Sequence, residues 1–320
     1  MTEDVQSGMT TVMQRNGTRV LLTNGKFQGD NTAQMSIQMR FALVPMLFAK
    51  HTERALVIGL GTGNTLRTVA HFPFRTIDVV EISPGVVDAS RNWFSDVNGG
   101  VFDSDTRIKL SIGDARNFLL LSNAKYDLIT IEITSLWISG EGDLYNKEFY
   151  DLVKQHLARD GVLQQWVAIH HLRPRELFLI LNTVSKVFPN TAFFAGPDHG
   201  LLIASTAPLT CDYKLVQSFN HRAELQKDFA AIKIPDMWAL LPEMKLYGSS
   251  MRKAIDDLAR SNSLSSATIS TDLFPRLEYG SPKGLTLSYD SFSANYRFLT
   301  GFQKPDLSQI ITNGVLAPAD

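Results

Sequence analysis

A chain of 320 residues with 44% hydrophobic and 20% charged residues, 21 glycines and 13 prolines has the apolar content for a sizeable core, which excludes a collagenous, low-complexity or wholly disordered protein. Its 31 Lys and Arg against 32 Asp and Glu leave a net charge of -1, with no general pull toward nucleic acid or anionic lipid, so no nucleic-acid partner is expected. The one cysteine, Cys211, excludes an internal disulfide framework and any CxxC metal or redox site.

The opening MTEDVQSGMTTVMQRNG lacks the basic-then-apolar order of a secretory signal, and no apolar run reaches the roughly 18 residues of a membrane span. A soluble, cytoplasmic chain is expected, and a membrane segment attached outside it stays open. Residues 18–28, TRVLLTNGKFQ, read as two strands about an Asn24-Gly25 turn, a dipeptide that tolerates positive φ at both positions; this predicts a small β cap over 1–33. Over 34–48, Met35, Met39, Leu43 and Leu47 recur at helical spacing, which predicts an amphipathic helix interrupted near Pro45.

From Arg54 onward short apolar runs alternate with helical stretches. Strands are predicted over 55–58, 77–81, 108–112, 126–131 and 162–168, then a hairpin of 191–194 with 201–204. The intervening helices are predicted over 64–70, 84–94, 147–159 and 174–187. Such alternation predicts a mostly parallel, doubly wound α/β sheet over 34–206, with ligands beyond the carboxyl ends of its strands. After Ser205 the rhythm turns helical, over 213–232, 237–246, 251–260 and about 288–300; 207–320 reads as a C-terminal helical subdomain or lid.

The sharpest motif is ALVIGLGTGNTL, residues 55–66, an apolar strand running into Gly59, Gly61 and Gly63 before a helix. Glycines there allow a tight turn and close approach of a ligand to the strand end. Glu81 closes the strand IDVVEI, where a carboxylate can accept both hydroxyl hydrogens of a ribose, and Asp114 in SIGDARNFL can accept from an adenine amino group or cap the next helix. Thr62 and Asn64 break the dinucleotide GxGxxG pattern, which favours an S-adenosyl ligand over NAD. His170 and His171 follow the fifth strand without a third ligand at recognisable spacing, and no metal is expected.

LTNGKFQ, ALVIGLGTGNTL, VVEISPGVV, GDARNFL and above all YDLITIEITSLWISGEGDLYNKEFYDLVKQHLARDGVLQQW resemble the spermidine synthase (polyamine aminopropyltransferase) family over about residues 18–205. The likeness is greatest to bacterial spermidine synthase-like domains often fused to membrane segments. It implies an N-terminal β domain, a Rossmann-like sheet of the S-adenosylmethionine-dependent methyltransferase type, and decarboxylated S-adenosylmethionine as co-substrate. Gln28, Gln38, the loop Gly59, Gly61, Thr62 and Gly63, Glu81 and Asp114 fall at the family's nucleoside-site positions, and Glu132 stands where the family has its catalytic Asp. A homodimer and a small-molecule amine acceptor are the partners this implies.

Three departures bear on the acceptor. Thr62 and Ser135 stand where the family has carboxylates, and its Tyr-Gln-Glu string is Ile37-Gln38-Met39 here. These losses argue against putrescine, and without an Asp at 62 intact S-adenosylmethionine becomes an eligible donor. Asp272 and Glu278 in STDLFPRLEYGSP are candidates to restore carboxylates over the substrate, against a structural role in a turn and a surface ion pair. Trp137 is a candidate shield for the sulfonium or an anchor for a mobile gate. The leading expectation is an aminopropyl-type transferase; methyl or aminocarboxypropyl transfer, cyclisation or elimination of the donor, and a non-catalytic polyamine or S-adenosyl sensor stand as rivals.

Overall fold

The computed structural model describes residues 2–4, 8–132, 136, 140–196 and 199–315. β1 (Thr2–Asp4), β2 (Gly8–Arg15), β3 (Thr18–Thr23) and β4 (Lys26–Asp30) form an antiparallel meander. Asn24 and Gly25, at φ 53° and 76°, make the expected turn between β3 and β4. β1 and β2 lie outside the sequence expectation, because the polar run around TTVMQR carries little strand signal of its own and takes its extended form from pairing with β3.

α1 (Ala33–Met46) runs through Pro45 instead of breaking before it. Proline removes the bond that would reach the Phe41 carbonyl, and the Thr130 hydroxyl donates to that oxygen instead (3.3 Å). Nor is the helix amphipathic: from Ile37 to Met46 only Arg40 escapes full burial, since α1 is covered on several sides.

β5 (Arg54–Ile58), α2 (Asn64–Ala70), β6 (Thr76–Glu81) and α3 (Pro84–Trp93) follow, then the single-turn α4 (Ser95–Asn98) and α5 (Val101–Ser104). Next come β7 (Ile108–Ile112), α6 (Ala115–Leu121), β8 (Tyr126–Ile131), α7 (Lys147–His156), β9 (Leu157–Val167), α8 (Pro174–Val187), β10 (Asn190–Gly196) and β11 (His199–Ser205). β9, β8, β5, β6 and β7 lie parallel in that spatial order, and β11 and β10 extend the sheet antiparallel beyond β9. This is the expected Rossmann-like α/β sheet. The chain leaves β5 toward β6 on one side and returns to β8 on the other, so a crevice opens at the carboxyl ends of β5 and β8.

The last third contributes β12 (Cys211–Asp212), α9 (Tyr213–Asn220), α10 (Ala223–Ala231), β13 (Met244–Tyr247), α11 (Ser249–Ser261), α12 (Arg276–Gly280), α13 (Ser291–Thr300) and β14 (Ile311–Thr312). The helix expected over 237–246 does not form. Met237–Glu243 makes tight 3-10 turns around Pro242, and β13 pairs antiparallel with β10 at the edge of the main sheet.

Helices cover both sheet faces. Val57, Val79 and Leu128 pack with Leu43, Leu47, Leu66 and Val69 on one side. Ile58, Val80 and Ile129 pack with Phe149, Tyr150 and Phe178 on the other. The unbroken burial of Tyr126–Ile131 is what a parallel strand covered on both faces requires. Among the described residues, no helix is long and apolar enough to cross a membrane.

Candidate active site

The site begins where β5 ends. Gly59 has φ +87°, and a Cβ there would stand 2.7 Å from the Glu132 carbonyl oxygen. Beside it the Glu132 N–H donates to the Ile58 carbonyl (2.9 Å), so β5 and β8 stay joined past their ends at a distance only glycine permits. The loop then folds back on β6: the Leu60 N–H donates to Glu81 Oε2 (2.8 Å), and the Ser83 N–H donates to Glu81 Oε1 (2.9 Å). Glu81 is thereby fixed at the rim of the crevice. Burial pushes its carboxyl above the ordinary range, against the pull of those N–H groups.

A cavity of about 530 Å³ occupies this position. Gln28, Gly59, Gly61, Glu81, Asp114 and Glu132 line it, bringing together six of the sequence-predicted residues from five parts of the chain. Asp114 also caps α6, accepting from the Asn117 N–H through Oδ1 (2.8 Å), so capping and cavity wall coexist in one side chain. Gly8, Thr23 and Asn24 bring the N-terminal sheet to the same wall. That sheet is tied to the site by Thr10, whose hydroxyl lies 3.3 Å from that of Ser83, the cap of α3. Ile82, half-exposed beside Glu81, gives the wall an apolar surface that suits a purine ring.

Glu132 is 8% exposed. Its Oε1 accepts from Gln38 Nε2 (2.7 Å), and its Oε2 has no hydrogen-bond partner in the protein. Burial lifts its carboxyl to about 8, opposed by the neighbouring Thr65 hydroxyl and the Gln38 amide and reinforced by the negative charge of Glu81. A carboxyl so placed can exchange a proton near neutral pH. Gln38, Thr62 and Gly63 stand behind the cavity wall: the Thr62 hydroxyl donates to Gln38 Oε1 (2.9 Å), and Gly63 precedes α2.

The C-terminal segment reaches the site indirectly. Arg116, which lines the cavity, grips Asp272 with both guanidinium arms, and Asn146 Nδ2 donates to Asp272 Oδ1 (3.2 Å). Glu278 Oε1 accepts from the Gly140 N–H (3.0 Å). Ser270 Oγ donates to Asn146 (2.7 Å), and the Lys147 N–H donates to the Ser270 carbonyl (3.0 Å). Asp272 and Glu278 therefore brace residues 140–147, and it is Glu141 and Asp143 that this loop sets in the cavity wall. Burial raises the Asp143 carboxyl, helped by the charges of Glu278 and Asp272 and opposed by Arg116.

Ser135 and Trp137 lie outside the described residues. Ile82, Arg116, Glu141, Asp143 and Asn24 were missed by sequence reasoning. Asn24 was legible as a turn residue, and Arg116 carried a faint signal, following Asp114 by two positions at the start of a helix.

A family model described as "Spermine/spermidine synthase domain" matches residues 35–197. The chain is 30% identical to polyamine aminopropyltransferase 2 of Aquifex aeolicus over 178 residues, 52% of this chain and 35% of that protein. It is 30% identical to the polyamine aminopropyltransferase of Erwinia tasmaniensis over 177 residues, 55% of this chain and 61% of that protein. It thus spans less than two thirds of the length of these curated relatives. In fold it is similar to spermidine synthase from Thermotoga maritima, with a TM-score of 0.56 at 22% identity, covering 66% of this chain and 78% of that one. A spermidine synthase in complex with the transition state analogue AdoDATO gives a TM-score of 0.55 at 21% identity, covering 66% and 77%.

Proposed function

The chain belongs to the spermine/spermidine synthase family, and from that premise we propose that it transfers an aminopropyl-type group from an S-adenosyl donor to an amine other than putrescine. The observation that carries this reading is the placing of Glu132, a buried carboxyl with one unpartnered oxygen, on the wall of the cavity that Glu81 and Asp114 also line. Glu81 would accept from the ribose hydroxyls and Asp114 from the adenine amino group, with Ile82 against the ring. Decarboxylated S-adenosylmethionine is the first candidate donor and the intact molecule the second.

In the transfer the amine lone pair forms a bond to the carbon beside sulfur while the carbon–sulfur bond breaks, its electron pair leaving with the neutral thioether. Glu132 takes the proton that the amine nitrogen gives up. Much of the remaining work is alignment, since the sulfonium carries its own leaving group. Glu141 and Asp143, set in the wall by the C-terminal segment, favour a cationic acceptor.

Purified protein is incubated with each donor, with and without a panel of amines, and the nucleoside product is identified by mass spectrometry. Methylthioadenosine that appears only with an amine supports the proposal, and the donor that yields it distinguishes aminopropyl transfer (decarboxylated) from aminocarboxypropyl transfer (intact). S-adenosylhomocysteine would show methyl transfer, methylthioadenosine without an acceptor would show cyclisation, elimination or hydrolysis, and binding without turnover would leave a sensor; each of these overturns it.

A further inference from the structure

Among the buried residues of α1, Gln38 alone carries a polar side chain, and it is 2% exposed. Its amide is engaged at both ends. Oε1 accepts from Thr62 Oγ1 at 2.9 Å, and Nε2 donates to Glu132 Oε1 at 2.7 Å. Thr62 is fully buried, and its hydroxyl is committed to Gln38 Oε1. Turning the amide over would set a carbonyl against the Glu132 carboxylate and leave the Thr62 O–H without its acceptor. Both consequences are unfavourable for buried groups.

We propose that Gln38 and Thr62 are positioning residues for Glu132: the Thr62 hydroxyl locks the orientation of the Gln38 amide, and the locked amide presents an N–H to one carboxylate oxygen while the other stays available for a proton. The inference rests on the transferase reading for its consequence in turnover, but not for its geometry. The groups facing Glu132 are Gln38 from α1, Thr65 from α2 and Glu81 from the end of β6, with Asp114, Arg116, Glu141 and Asp143 around the same cavity. Of these, Gln38 is the one whose direct hydrogen bond to the carboxylate is set by Thr62. This gives Thr62 a task unrelated to donor binding.

Thr62→Val removes the hydroxyl at nearly constant volume, Gln38→Leu removes the amide, and Thr62→Ser restores the hydroxyl. Glu132 titration is followed in the full chain by NMR with carboxyl-labelled glutamate, its resonance assigned with Glu132→Gln. Losing an N–H donor to the charged form should raise the Glu132 titration in Gln38→Leu by about one pH unit, and in Thr62→Val by part of that. Thr62→Ser should titrate like the unmodified protein, and Thr62→Val should add nothing in the Gln38→Leu background. Turnover at neutral pH should fall about tenfold in Gln38→Leu and by less, about threefold, in Thr62→Val with the donor KM unchanged, and recover in both as pH rises.

The relay is overturned if Thr62→Val shifts the titration equally with and without Gln38, or raises the donor KM while leaving kcat intact; the latter would put the hydroxyl on the donor. If no donor and amine pair turns over, the transferase reading fails while the titrations still decide the relay.

Discussion

Glu132→Gln should make the protein more stable, and increasingly so as pH rises. Burial lifts the Glu132 carboxyl from 4.5 to about 8, so between those values the folded protein holds a proton that the unfolded chain has released. The stability associated with that proton is fully present below pH 4.5 and is lost as pH rises through about 8. At about 1.4 kcal/mol per pH unit, the loss is about 3 kcal/mol by pH 7 and about 5 kcal/mol across the window. Glutamine cannot ionise, and its carbonyl can still accept from Gln38. The variant should match the unmodified protein near pH 4.5, diverge upward, and run parallel above about pH 8. Urea unfolding at a series of pH values measures this directly. Asp143, also raised by burial, is common to both proteins and cancels in the difference. Stability curves that stay parallel throughout would refute the burial argument. In the same variant, kcat should fall by about 10²–10⁴-fold with donor affinity kept.

Glu81→Ala and Asp114→Ala should each weaken methylthioadenosine binding about tenfold or more by calorimetry, since a hydrogen bond to a charged acceptor contributes about 1.5–3 kcal/mol. Glu81→Ala should also lower the melting temperature, because it strands the Leu60 and Ser83 N–H groups. Gly59→Ala combines a left-handed backbone with contact against the Glu132 carbonyl; it should cost more than about 2 kcal/mol in denaturant unfolding and abolish nucleoside binding. Asp272→Asn breaks a partly exposed ion pair and should cost under about 1 kcal/mol of stability, while raising the acceptor KM as residues 140–147 loosen.

The parallel core and its glycine loop were legible because their signals are local: an apolar run of strand length, a glycine cluster, a carboxylate at a strand end. Helices over 64–70 and 174–187 match their predicted bounds for the same reason. What stayed hidden depends on partners distant in sequence. Met244–Tyr247 alternates buried and half-buried residues over only four positions, too short a run to stand out from the helical stretches around it, and becomes a strand by pairing with β10. Gln38 and Thr62 fit nucleoside-site positions, and only the packing of α1 against the glycine loop reveals that they face each other and Glu132. Asp272 was legible as a conspicuous acid, but its engagement with Arg116 spans 156 positions.

The pairing of β13 with β10 has a consequence for anyone trimming this chain. β10 brings Phe193 and Phe194, both fully buried, to the flank of the main sheet, and β13 satisfies the backbone groups there. A product ending soon after β11 would retain every strand of the parallel core and look self-sufficient on paper. It would also leave the N–H and C=O groups of β10 around Phe193 and Phe194 unpaired, an invitation for another copy to add on as a strand. The stretch around Met244 thus acts as a hem that keeps the molecule from polymerising along its own weave.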